Sequence, residues 1–114
     1  MDKDELSKEI KAWAEKMRKE GKMANPTKDH KIALDTLQNQ LRRDLLKFIG
    51  TTGKKTVDEI VKEFKMDASQ VKYHLGMLEK SLFVEPEDNS YVLTPRGKGY
   101  INDVDWWGYE VEGR

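Results

Sequence analysis

The stretch DASQVKYHLGMLEKSLFVE, residues 67–85, concentrates hydrogen-bonding side chains on one side of what its spacing predicts to be a helix. Val71, Leu75 and Leu78 recur at intervals of four and three, so they share a buried line. Ser69, Gln70, Lys72 and Tyr73 then fall outward, toward the start of the same helix. A hydroxyl, a carboxamide, an ammonium and a phenol are groups that read a patterned surface of donors and acceptors. His74 lies beside the buried line and is expected as a partly buried, satisfied imidazole rather than a ligand or a pH switch.

Catalysis is the chemistry these residues do not suggest. The chain has no phosphate-cradling glycine loop, no paired histidines on one helix face and no nucleophile signature. Asp103 and Asp105, beside Trp106 and Trp107, form a conspicuous cluster, but acids two apart do not converge on a substrate. We expect no enzyme. Cysteine is absent, which removes disulfides, thiolate metal sites and thiol switches, and fits a reducing compartment. Only His30 and His74 remain as imidazoles, so neither a metal nor another cofactor is expected.

The 114 residues suit one domain with a single core, and the charged fraction of 37% gives it a well-solvated surface. Lysine plus arginine and aspartate plus glutamate both number 21, so the whole-molecule field favours no polyanion. The charge is uneven along the chain, however. Residues 31–75 carry 9 positive and 6 negative groups, and residues 76–114 carry 4 and 8. No apolar run approaches a membrane span and no signal-peptide core opens the chain, so a cytoplasmic protein is expected.

The elements that position the polar helix can be read from caps and periodicity. Leu6, Ile10, Trp13 and Met17 make one stripe of an N-terminal helix, with Asp2 and Glu5 at its start and Gly21 at its end. KMANPTKD reads as a loop, with Thr27 as the cap of a second helix. Ile32 to Ile49 keep helical spacing, and Gln38, Asn39 and Gln40 can divide them into two helices. TTGKKT reads as a loop ending at a Thr56–Glu59 capping box, after which Val57, Ile60, Val61 and Phe64 mark a short helix. Asp67 and Gln70 repeat the capping pattern three residues later, and two helices so closely joined predict a helix-turn-helix. Residues 82–85 and 91–94 flank a polar PEDNS connection and predict a hairpin, while Thr94-Pro95 starts a last helix with Tyr100, Ile101 and Val104 inward.

The fold expected is therefore mostly α with a small β-hairpin wing. Its divisions are an N-terminal helix and loop over 1–26, a winged helix-turn-helix over 27–104 and an aromatic tail over 105–114. In LRRDLLKFIG, in V-K-Y-H-L followed by M-L and L-F-V-E, and in Y-V-L-T-P-R-G, residues 34–101 resemble the winged helix-turn-helix of ArsR-type transcription regulators.

The resemblance implies a homodimer that binds double-stranded DNA, with the helix from Asp67 to Glu79 in the major groove. On that footing Gln70 pairs with adenine, Lys72 reaches a guanine or a phosphate, and Ser69 bonds either. Tyr73 offers its hydroxyl to a phosphate or its ring to a thymine methyl. Lys54 and Lys55 grip the backbone near a helix start, and Arg42 stands where the family commonly has an arginine, for packing or phosphate contact. Leu6, Ile10, Trp13, Met17, Trp106 and Trp107 are the expected dimerisation or packing surface. One departure is the wing, where Glu85, Glu87 and Asp88 stand in place of basic residues and would repel phosphate. A short acidic wing also suits the alternative of a winged helix that docks on another protein in a transcription or replication assembly. No effector is indicated.

Overall fold

The structure is a computed structural model that describes residues 2–110. Its elements run α1 (Lys3–Lys19), α2 (Pro26–Leu37), α3 (Gln40–Gly50), β1 (Lys54–Thr56), α4 (Val57–Phe64), α5 (Ala68–Lys80), β2 (Val84–Glu87), β3 (Ser90–Leu93) and α6 (Pro95–Ile101). The three strands form one antiparallel sheet in the order β1-β3-β2.

The helix starts obey the capping chemistry. Asp2 accepts from the Glu5 amide at 2.8 Å, and Thr56 and Glu59 bond reciprocally at 3.1 and 2.9 Å. Asn25 rather than Thr27 caps α2, accepting from the Lys28 amide at 2.9 Å, because Pro26 occupies the first helical position and leaves the asparagine just outside. The polar triplet does divide the middle segment. Asn39 caps α3, and Arg43 donates both to the Leu37 carbonyl left open at the end of α2 and to Gln40.

Two strand readings change. Residues 54–56, read as loop, form β1 because Lys54, Lys55 and Thr56 pair with Val92, Tyr91 and Ser90. A strand of three polar residues has no periodicity of its own, and its partner lies more than thirty residues away. The wing is also tighter than the sequence suggests. Glu87 pairs with Ser90, so only Asp88 and Asn89 make the turn, with Asp88 at a φ of +54°. Pro86 sits in β2, an edge strand, where its missing N–H costs no ladder bond to solvent.

A central core joins Leu45, Leu46 and Ile49 of α3, Ile60 of α4, Val71, Leu75 and Leu78 of α5, and Phe83, Val84 and Leu93 around the sheet. Trp107 belongs to that same core, so the chain after α6 folds back onto the domain. Leu6 and Ile10 of α1 are buried with Val104. Close approach here requires glycine: a Cβ on Gly99 would come within 2.6 Å of Ile10 and 2.9 Å of Trp106.

Beneath α1, α6 and the tail lies a buried guanidinium. Arg96 is 0% exposed and makes a fork of two hydrogen bonds to Asp29 at 2.9 and 2.8 Å, with a third to the Ser81 carbonyl at 3.1 Å. The Tyr109 hydroxyl also donates to Asp29. Burial, then the Asp29 carboxylate, push the Tyr109 phenol well above its ordinary value, so it remains a donor at any physiological pH. The rings of Trp13, Trp106, Trp107 and Phe83 stand 5.5, 5.6, 5.6 and 5.8 Å from the guanidinium carbon and supply favourable quadrupoles in place of water. Removing one partner leaves a desolvated charge. Arg96→Met or Asp29→Leu alone should cost about 3–5 kcal/mol in urea unfolding, whereas the double replacement should recover much of that loss.

Candidate nucleic-acid interface

The αL residue Lys65, at a φ of +53°, ends α4 and lets Asp67 begin α5 two residues later. Val71, Leu75 and Leu78 are fully buried, and Ser69, Gln70, Lys72 and Tyr73 are exposed, as their spacing predicts. Tyr73, at 59% exposure, is the most exposed large ring or aliphatic among the described residues.

The face is partly preorganised. Gln70 accepts from the Asp67 amide through its Oε1 at 3.4 Å, a long bond that a better partner displaces at little cost and that leaves its amide hydrogens free. Tyr73 is held by its neighbours: its ring lies 5.2 Å from the His74 ring in an edge-on arrangement, and the Arg42 guanidinium carbon is 5.8 Å from its centroid.

Arg42, on α3, is only 8% exposed, and its Nε donates to His74 Nδ1 at 3.1 Å. Because arginine can only donate, the imidazole must be neutral with its proton on Nε2. Desolvation first, then the Arg42 charge, lower the His74 pKa from its ordinary 6.5. Folding thus favours the neutral ring. That contribution to stability is complete above about pH 6.5 and is lost as pH falls through the lowered value.

The two lysines that the sequence pairs are separated by β1. Lys54 is exposed, but Lys55 is 8% exposed and its ammonium lies 4.6 Å over the Phe48 ring. Alternation along a strand explains the split, since adjacent residues face opposite sides. Lys55 is therefore withdrawn from a phosphate-binding role in this conformation. The wing carboxylates Glu85, Glu87 and Asp88 are all exposed.

The residues expected at a dimer seam are largely occupied within the chain. Leu6, Ile10 and Trp107 are buried, while Trp13, Met17 and Trp106 are half-buried. Trp106 and Trp107 stack at 4.0 Å, and Trp107 also meets His30 edge-on at 4.6 Å. Sequence reading missed the Arg96–Asp29–Tyr109 cluster that these rings enclose. Arg96 sits in the quoted Y-V-L-T-P-R-G, but Asp29 is 67 residues away and nothing local marks it as its partner.

A helix pair joined by this turn and leading into a strand hairpin is a winged helix-turn-helix. Residues 39–85, from the cap of α3 into β2, match the family described as bacterial regulatory protein, arsR family. Over that segment the chain is similar to an ArsR-type helix-turn-helix, a family of DNA-binding transcription regulators. No curated protein matches the chain, and no solved structure does. Among the described residues no helix is long and apolar enough to cross a membrane.

Tyr73 contributes little to the core. Tyr73→Ala should leave the unfolding free energy in urea within about 0.5 kcal/mol of the parent's, which separates any binding defect from misfolding.

Proposed function

We propose that the chain is a cytoplasmic, homodimeric transcriptional regulator that reads duplex DNA with α5 in the major groove. The observation that carries this reading is the polar face of α5, exposed and aligned by three buried aliphatics within the matched segment. Near the start of α5, Gln70 pairs with adenine, Ser69 and Lys72 bond base edges or phosphate, and Tyr73 contacts phosphate or a thymine methyl. Lys54, projecting from β1, meets the backbone.

Selection from a random duplex library is the direct test, and a palindrome would support both DNA reading and two-fold symmetry. Gln70→Ala and Lys72→Ala should each weaken the selected site by about 1–3 kcal/mol at fixed salt. Equal affinity of the parent and both variants would remove these two residues from the interface.

The homodimer rests on the half-buried Trp13 and Met17, which line a groove with Leu82 and Val84 that a second copy can cover. Sedimentation at micromolar concentration should show a dimer. A monomer throughout would defeat the two-fold model.

The exposed acidic wing favours a second reading, in which the winged helix docks on a protein. Absence of salt-dependent duplex affinity, together with a stoichiometric protein partner, would select it.

A further inference from the structure

We infer that His74 is a positioning residue for the reading face: its neutral ring holds Arg42 inward beneath Tyr73, and its protonation releases Arg42 and couples DNA binding to proton uptake. This inference rests on the DNA-binding reading above and adds to it a regulator within the face.

A half-buried histidine normally bonds a carbonyl, a carboxylate or water, all compatible with a charged ring. His74 instead faces a permanent cation. Its Nδ1 accepts from Arg42 Nε at 3.1 Å, so a proton on Nδ1 would replace the hydrogen bond with two opposed donors and two like charges. The elements packed on α5 are α3, α4 and β2, and Arg42 of α3 is the charged group whose field acts on the ring. Tyr73, on its own helix, is the other group in contact with it. Among the described residues no carboxylate bonds either His74 or Arg42 to offset the repulsion.

The consequence falls on the exposed face because Arg42 also lies under Tyr73, at 5.8 Å. While His74 is neutral, the three side chains form one contact cluster across α3 and α5. Tyr73 is then restricted before any partner arrives, and less rotamer freedom is lost on binding. Once the ring is protonated, the long Arg42 side chain is the group free to swing out. The face gains an imidazolium and a released guanidinium, and Tyr73 loses its support. A polyanion binds this charged form better, so non-specific duplex affinity should rise as pH falls through the lowered His74 value, while the specific-to-non-specific ratio falls.

The test measures duplex affinity at fixed salt from pH 7.5 down through the His74 titration as followed by NMR, for the selected site and a scrambled one. In the parent, affinity for the scrambled duplex should rise roughly fivefold, and its dependence on log salt should steepen by about 0.9 for each cation newly engaged. His74→Gln can accept from Arg42 Nε but cannot take up a proton. It should lose that pH response, and at pH 7.5 it should bind the selected site more tightly than His74→Ala does. His30, the only other histidine in the sequence, is present in all three proteins, so it is common to every comparison.

A parent and His74→Gln variant with the same pH profile would overturn the inference and leave DNA binding intact. Absence of duplex binding by the parent at any pH and low salt would instead reject the DNA reading. If the variant does not fold, an NMR titration of the parent decides: the Arg42 Nε–H resonance should vanish as the His74 ring titrates, and duplex should raise that midpoint. A bond that persists through the titration, or a midpoint indifferent to duplex, would overturn the inference equally.

Discussion

The Arg96–Asp29 pair is the constraint around which the rest of this structure is arranged. A guanidinium with no exposure survives only where a carboxylate meets both arms of its fork and weakly polar surfaces replace the lost water. The partners come from across the chain: Asp29 from α2, the Ser81 carbonyl from the end of α5, Trp13 from α1, and Trp106, Trp107 and Tyr109 from beyond α6. Any of them displaced exposes the pair's desolvation. The terminal segments are thereby tied to the end of α5. Among the described residues Arg96 Nε has no hydrogen-bond partner, so even this cluster is not fully satisfied.

That arrangement supports the reading face from behind. Ser81 closes α5 and gives its carbonyl to Arg96, and Thr94 bonds the Leu82 carbonyl at 2.6 Å while capping α6. The C-terminal end of α5 is therefore fixed by buried bonds, whereas its N-terminal half presents Ser69, Gln70, Lys72 and Tyr73 to solvent. A rigid rear with a polar front is what recognition by hydrogen bonding requires, because misplacement by a fraction of an ångström loses directional bonds.

Electrostatics set the face apart from the wing. Positive groups lie on α3, β1 and α5, while the hairpin carries Glu85, Glu87 and Asp88. On the proposed DNA reading, a duplex along α5 would meet attraction at one side and repulsion at the other, favouring approach toward α5 and Lys54 and away from the hairpin tip. Of the four cations expected at the front, Lys54, Lys55, Lys72 and Arg42, Lys55 is spent on the Phe48 ring and Arg42 on His74, so the surface field is weaker than a count of lysines and arginines suggests.

By itself, the sequence determined the helices, the helix-turn-helix and the orientation of α5, since caps, αL turns and periodicity act within a few residues. Val71, Leu75 and Leu78 could face only one way, and their burial left the polar side outward. It also placed the hairpin, though not its two-residue turn. Tertiary structure alone decided the rest. β1 exists because β3 pairs with it, and that pairing turned Lys55 inward and Lys54 outward. The Trp13 and tail stripes, equally suited to a partner's surface, were taken up by a buried arginine whose counter-charge lies 67 residues away. Local spacing carries no signal for such a meeting: an arginine after Thr-Pro and an aspartate in a helix's first turn each look solvated until the fold removes the water between them.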